Sequence, residues 1–385
     1  MKVTYVSAPG VERSSGNSVS LATDEQLSQL VQKVAGRRGL HHVKLAVAST
    51  DGRRVWAGSA GPSGQEEENS HWHPDTPFFI ASITKRFVVA LLLQAYERGE
   101  VGLDSRITDL LPSTTTGRLQ MRRGADRTHE ITVRHLATHT SGLPDHFEKR
   151  HSGPSLYAQL AAGKNISWSF EDILRTTREQ QGSHFAPQDL SAPDQKARYS
   201  DTGLQLLIRI LETVTDRSFP ELLAERITGP LGLSNTCHPS HPTKPSSPLP
   251  TTLYSGQKLM ELGALITSSN DLVSTTAELL TFHRALLDGT LFREPATVRL
   301  LAERSNRLRN IPILKYGMGT MSFTTLLPGQ KLVRRVRLQG HSGATGSWLF
   351  RCPDLNLDLC GTVDQVRGQS LPFRIMPACL RAWQE

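Results

Sequence analysis

The apolar run from Phe87 to Leu93, entered through Ser82-Ile83-Thr84-Lys85, constrains this chain more than any other stretch. A segment apolar on every side reads as a helix buried in the core. Arg98-Gly99 ends it with a cation in the last turn and a glycine able to take the left-handed cap. The first turn carries polar groups, so it has to surface in a cleft. A serine three residues before a lysine shares a helix face with it, and hydroxyl and amine then meet within one turn. That pairs a nucleophile with a base. Burial strips hydration from the Lys85 ammonium, and the positive end of the helix dipole also disfavours it, so the sequence predicts a lysine easily deprotonated. Ser-x-x-Lys by itself arises by chance in most chains of this size and reads first as an N-cap serine beside an unrelated lysine.

Before that helix, residues 1–20 are rich in Ser, Gly and Val without period and are expected to form a flexible tail. Thr23-Asp24-Glu25 opens a first helix with Leu27, Leu30, Val31 and Val34 at helical spacing. His42 to Ala48 and Arg54 to Gly58 flank an Asp51-Gly52 turn and read as a hairpin. Beyond Leu103 helices are expected at 131–138, 168–178, 201–215 and 219–227, joined by long loops rich in Pro, Gly and Ser. Residues 259–287 look helical again. Strands follow at 316–324, around Gly340, at 347–351 and at 357–363, and a helix at 371–383 closes the chain.

Strands at both ends with helices between imply an α/β chain of the α+β type. Its antiparallel sheet is flanked by N- and C-terminal helices and carries an inserted all-helical lobe. The expected division is a sheet domain from 21–103 and 256–385, interrupted by a helical domain at 104–255.

Length and charge narrow the function. At 385 residues the chain can bury an ample core, and its 37% hydrophobic and 21% charged content is that of a globular protein. No apolar window reaches membrane-spanning length, because Gln94, Glu97 and Arg98 break the longest one. The net charge of +8 includes Arg-Arg pairs at 37–38, 53–54, 122–123 and 334–335, scattered rather than gathered with stacking aromatics. A nucleic-acid partner is therefore not expected. A basic rim attracting anionic substrates, coenzyme A thioesters or an acyl-carrier protein is the milder reading, beside a plain solvated surface. The first thirty residues show no charged start followed by an apolar run, and Cys237, Cys352, Cys360 and Cys379 show no paired spacing. Both point to a cytoplasmic protein with free thiols.

Two further segments give Ser82 company. Tyr199-Ser200-Asp201 opens an amphipathic helix with Leu204, Leu207, Ile208, Leu211 and Val214 at helical spacing. Gly340-His341-Ser342-Gly343-Ala344-Thr345-Gly346 lies in a strand-like stretch. With His135 to Pro144 and Arg226 to Leu233, these segments resemble, in this order, the serine β-lactamase and penicillin-binding-protein superfamily, specifically its class C β-lactamase-like esterases, D-amino-acid peptidases and acyltransferases. The likeness runs from about Leu45 to the end.

That resemblance implies roles. Ser82 would be acylated, Lys85 and Tyr199 would share the proton traffic, and the backbone N–H groups of Ser82 and Ala344 would form the oxyanion hole. Either Lys85 or Tyr199 could be the base. Asp201, His341, Ser342 and Gly343 would contact substrate. Asp201 stands where the family carries asparagine, and an ionised aspartate only accepts hydrogen bonds, so pairing with Lys85 or a substrate N–H suits it. His341 stands where β-lactamases carry lysine; a largely neutral histidine makes carboxylate-bearing lactams poorer substrates.

Other readings compete. Gly340 to Ala344 looks like a nucleophile elbow around Ser342, yet no histidine follows it. His135 and His139 sit four apart without the glutamate of a zinc protease and read as structural. His71-Trp72-His73 in a loop is assigned nothing. The sequence reading is a serine hydrolase acting on a small-molecule acyl substrate, foremost an esterase, with no metal or organic cofactor. The alternatives are an acyltransferase or cyclase, a D-amino-acid peptidase or β-lactamase, and a silent scaffold.

Overall fold

The computed structural model describes residues 4–5, 18–61, 75–148, 153–179, 182–242, 250–328 and 333–384. The acidic run at 66–68, His71-Trp72-His73 and most of the expected tail lie outside them. Nine strands form one antiparallel sheet: β1 Thr4–Tyr5, β2 Val43–Ser49, β3 Val55–Ala60, β4 Asn306–Arg307, β5 Lys315–Tyr316, β6 Met321–Pro328, β7 Val333–Ser342, β8 Trp348–Cys352 and β9 Leu357–Thr362. Their spatial order is β1-β3-β2-β9-β8-β7-β6-β5-β4, so the two ends of the chain meet where β2 pairs with β9. The sheet thus draws its strands from residues 4–60 and 306–362. Between them lie helices, with a short hairpin at Met121–Arg122 and Ala125–Asp126.

Strand period 2 divides the sheet between two cores. In β2, Val43, Leu45 and Val47 pack with Leu27 and Val31 of α1 (Ser18–Ala35) and Ile375, Met376 and Leu380 of the C-terminal helix Pro372–Gln384. Ala46 and Ala48 point the other way, into the core of α2 (Thr84–Glu97), α3 (Asp201–Thr215) and α4 (Thr276–Asp288). Strand β8 repeats the division, with Trp348 and Phe350 on the first side and Leu349 on the second. In α2, Thr84 to Ala95 are all buried, with Phe87 stacked on Phe282 of α4 at 3.6 Å. Gly99 takes φ +71° at the end of α2, as the cap requires.

Several elements depart from the sequence reading. Helix α1 starts at Ser18 rather than Thr23, and Thr4–Tyr5 pair with Gly58–Ser59 as an edge strand. The long helix expected over 259–287 is two helices, Gly263–Ser268 and α4, parted by Val273–Ser274, which pair with Phe78–Phe79 just ahead of Ser82. Strand β7 runs ten residues. Its Arg335 and Arg337 face solvent while Val336 and Leu338 face in, so an arginine-rich stretch that reads only as charge is half of an alternating strand.

Candidate active site

Ser82 sits in a single 3-10 turn, Ala81–Ile83, that feeds α2. The turn is pinned from both sides. Ile80 N–H donates to Leu272 O at 3.0 Å. The hairpin turn after β7 reaches over it: Thr345 Oγ1 donates to Phe79 O at 2.9 Å and Ser347 Oγ to Ile80 O at 2.9 Å. Ala81 is held at φ +47°, a left-handed conformation costing a non-glycine residue on the order of 1–3 kcal/mol that the surrounding contacts must offset. Gly343 lies against this turn so closely that a Cβ there would stand 2.6 Å from Ile80 O and 2.3 Å from Ser347 Oγ. Its missing side chain lets the strand carrying Ala344 approach the serine.

Three distant parts of the sequence converge on Ser82 Oγ. The Tyr199 phenol donates to it at 2.8 Å, and Lys85 Nζ donates at 3.3 Å. Lys85 is buried and ion-paired with Asp201, the first residue of α3. The Asp201 backbone N–H donates to Asp145 Oδ2 at 3.1 Å. Asn310 brackets the Tyr199 peptide, accepting from its N–H at 3.1 Å and donating to its C=O at 3.2 Å.

The expectation of an easily deprotonated Lys85 is corrected here. Burial, the largest influence, pulls the ammonium down, but the Asp201 carboxylate, helped by Tyr316 and Asp271, more than reverses it and holds Lys85 above the usual lysine value. Asp201 is correspondingly held low: burial pushes it up, and Lys85 outweighs burial. Burial and the Asp201 charge push the Tyr199 phenol well above its ordinary value. At rest Ser82 therefore faces a cationic amine and a neutral phenol. Two more carboxyls enclose the pair. Asp145 is raised strongly by burial and by Asp201, and Asp271 is pushed up to about 6 by burial, with Lys85 opposing and Asp201 adding to the rise.

His341 is also corrected. It is fully buried, and the lining of the cavity above Ser82 takes in Ser342, Gly343 and Ala344 without it. Its Nδ1 bonds to Ser342 O at 2.9 Å, which only a ring N–H can do, so Nε2 accepts from the Tyr316 hydroxyl at 3.1 Å. Burial, then Lys85, depress its basicity strongly. A neutral histidine bracing β7 from behind replaces the substrate contact expected. Ser342 Oγ faces the Met321 thioether at 3.7 Å rather than a base, which leaves the nucleophile-elbow reading without support. His135 caps its own helix through Thr132 and bonds Gln188 O at 2.7 Å. His139 packs its ring on Tyr199 and Tyr316, and burial, then Lys85, lower its pKa to about 3.

The cavity measures about 880 Å³, and Ser82, Tyr199, Asp201, Gly343 and Ala344 all line it. Sequence reading missed Asp145, Asp271, Asn310 and the Glu148–Arg198 pair, in which Arg198 Nη2 stands 2.7 Å from Glu148 Oε2. A signal for Asp145 was present, since it directly follows the His135–Pro144 segment. Nothing local marks the others. Among the described residues no group of three or more His, Cys, Asp or Glu is arranged to hold a metal ion.

An antiparallel sheet between two helical layers, with a buried Ser-x-x-Lys turn met by a tyrosine from the helical region, is the fold class shared by serine β-lactamases and transpeptidases. The chain belongs to the β-lactamase family, whose model matches residues 27–361. A 173-residue stretch is 32% identical to monacolin J acid methylbutanoyltransferase of Aspergillus terreus, covering 42% of this chain and 38% of that protein. Esterase EstB of Burkholderia gladioli is 27% identical over 190 residues, 49% of this chain and 45% of EstB. The matched stretches thus span less than half the length of either relative. The crystal structure of a D-stereospecific amidohydrolase from Streptomyces sp. superposes with a TM-score of 0.68 over 93% of this chain and 97% of that one, at 23% identity. Among the described residues no helix is long and apolar enough to cross a membrane.

Proposed function

We propose that this chain is a serine hydrolase that works through an acyl-enzyme on ester or amide substrates, foremost as an esterase. The supporting observation is the double hydrogen bond onto Ser82 Oγ from Tyr199 and Lys85 at the edge of the cavity. With two lone pairs occupied, the serine's own hydrogen is left to point elsewhere, so attack requires one of these donors first to give up its proton. Lys85, held cationic by Asp201, is the donor that first loses its proton to solvent. Once neutral, the amine takes the serine proton as Oγ adds to the substrate carbonyl. The oxyanion falls to the Ser82 and Ala344 N–H groups. Tyr199, a neutral phenol, protonates the departing alkoxide, and water later returns the acyl group along the same path.

Transfer of the acyl group to an alcohol or amine is the second reading, favoured by the cavity's size and by the methylbutanoyltransferase among the relatives. A coenzyme A or carrier-protein thioester would be the donor in that case. Carboxylate-bearing D-peptides and β-lactams fit less well, because His341 is buried and neutral. Four buried free thiols agree with a cytoplasmic setting.

Ser82→Ala is expected to abolish both hydrolysis of p-nitrophenyl butyrate and labelling by a fluorophosphonate. Lys85→Ala and Tyr199→Phe should each lower kcat/KM by roughly 100-fold or more. Undiminished turnover in the serine variant contradicts the assignment, and unlabelled, inactive wild-type protein would favour a silent scaffold.

A further inference from the structure

Two apolar walls that belong to separate hydrophobic clusters line the cavity above Ser82. Leu314 and Met321, with Ile311 and Phe373 packed against them, belong to the cluster that includes Tyr199. Leu253, Met260 and Val366, with Tyr157 and Leu265, form the other. Each wall reaches the nucleophile by its own route. The first does so through Tyr199 and through Ser342, whose hydroxyl touches Met321. The second does so through the turn carrying Ala344, since Gln365 N–H donates to Thr345 O at 2.9 Å and Tyr157 hydroxyl to Val366 O at 3.1 Å. A volume of about 880 Å³ is near the upper end of small-molecule sites, which span roughly 300–1,000 Å³.

Charge narrows the occupant further. Among the described residues lining the cavity, the one lysine or arginine is Arg198, and Glu148 already holds it. Lys85, beneath Ser82, is held by Asp201. Asp145 and Asp271 add carboxyls to the same lining. A substrate carboxylate would leave water for a site whose cations are already paired, which is unfavourable. The basic net charge of the chain therefore does not extend to the place where substrate binds.

We propose that the substrate is a neutral ester with an extended apolar acyl body, of medium-chain size, and not a small acetyl ester or a carboxylate-bearing peptide. This rests on the hydrolase reading above and specifies its substrate class. Burying several methylenes against either wall supplies binding that an acetyl group cannot, and a single methylene in a hydrophobic pocket already changes discrimination by roughly tenfold or more.

The test compares p-nitrophenyl acetate, octanoate and the mono-p-nitrophenyl ester of suberic acid, which matches octanoate in length but ends in a carboxylate. The leaving group is constant, so kcat/KM reports the acyl body alone. Octanoate is expected to exceed both other esters by about tenfold or more. Leu265→Asp on one wall and Ile313→Asp at the exposed rim of the other should each lower the octanoate-to-acetate ratio. Should either variant fail to fold, the three-ester comparison on the wild-type protein decides alone. Acetate or the suberate ester turned over as well as octanoate, with Ser82 still labelled by a fluorophosphonate, overturns the inference and leaves the hydrolase reading intact. Absence of both labelling and turnover removes that reading and the inference with it.

Discussion

At position 201 a carboxylate faces the buried ammonium of Lys85, and this contact governs the chemistry available to Ser82. Because Lys85 is held above the usual lysine value, the active form of the enzyme has lost a proton from the Lys85–Asp201 pair. Activity should therefore rise with pH along its acid limb. In Asp201→Asn the largest influence opposing burial disappears, leaving only Tyr316 and Asp271 against it, so the pKa of Lys85 falls and the limb moves to lower pH. A kcat/KM profile of the variant checks this; a limb that stays in place or moves upward contradicts it. The identities of Ser82, Lys85 and Tyr199 were legible because spacing and residue type carry them. The protonation of Lys85 was not: the sequence left Asp201 open to pairing with Lys85 or with a substrate N–H, and only the fold, closing 116 residues, brings carboxylate and amine together. His341 misled for a related reason: a strand shows its alternate residues to opposite faces, and the sequence does not say which face borders the cavity.

Among elements, the contact between the Ser82 turn and the hairpin after β7 holds the site open at the right width. Gly343 permits that contact, and Ser347 and Thr345 tie it to the carbonyls of residues 80 and 79. Gly343→Ala should push the hairpin away from Ile80, destabilising the protein by about 1–3 kcal/mol in urea unfolding and lowering kcat/KM at least tenfold. Wild-type activity in that variant would show that the approach is not needed. Ser347→Ala removes one of two donors to the buried Ile80 carbonyl, which keeps the Ile83 N–H, and should cost about 0.5–1.5 kcal/mol in the same measurement. In the sequence, Ser342 and Gly343 were legible only as positions expected to meet substrate. The contact of Gly343 with the Ser82 turn was hidden, because the pairing of Phe78–Phe79 with Val273–Ser274 that fixes that turn joins two-residue strands with no periodicity to detect.

Over the whole molecule, one sheet separates two cores, and the chain's two ends close it side by side. All four cysteines lie inside. Burial raises the thiols of Cys352, to about 11, and of Cys360 and Cys379. The native protein should therefore resist a thiol-specific disulfide reagent at pH 8 and react at four sites once unfolded; rapid native labelling would contradict this packing. Phe87→Ala, which empties the stack on Phe282, should cost about 3–5 kcal/mol in chemical denaturation. The sheet-and-helix architecture was legible from where strands and helices fall along the chain. The cavity was not, because its walls come from segments near 147, 253, 313 and 366 that share no sequence signal. The account as a whole depends on covalent chemistry at one hydroxyl. Intact-mass and peptide mass spectrometry after brief exposure to a fluorophosphonate tests this most directly: a single adduct on the peptide containing Ser82, absent from Ser82→Ala, is the predicted result. An adduct on the peptide containing Ser342, or ester turnover by a Ser82→Ala protein that takes no label, would contradict it.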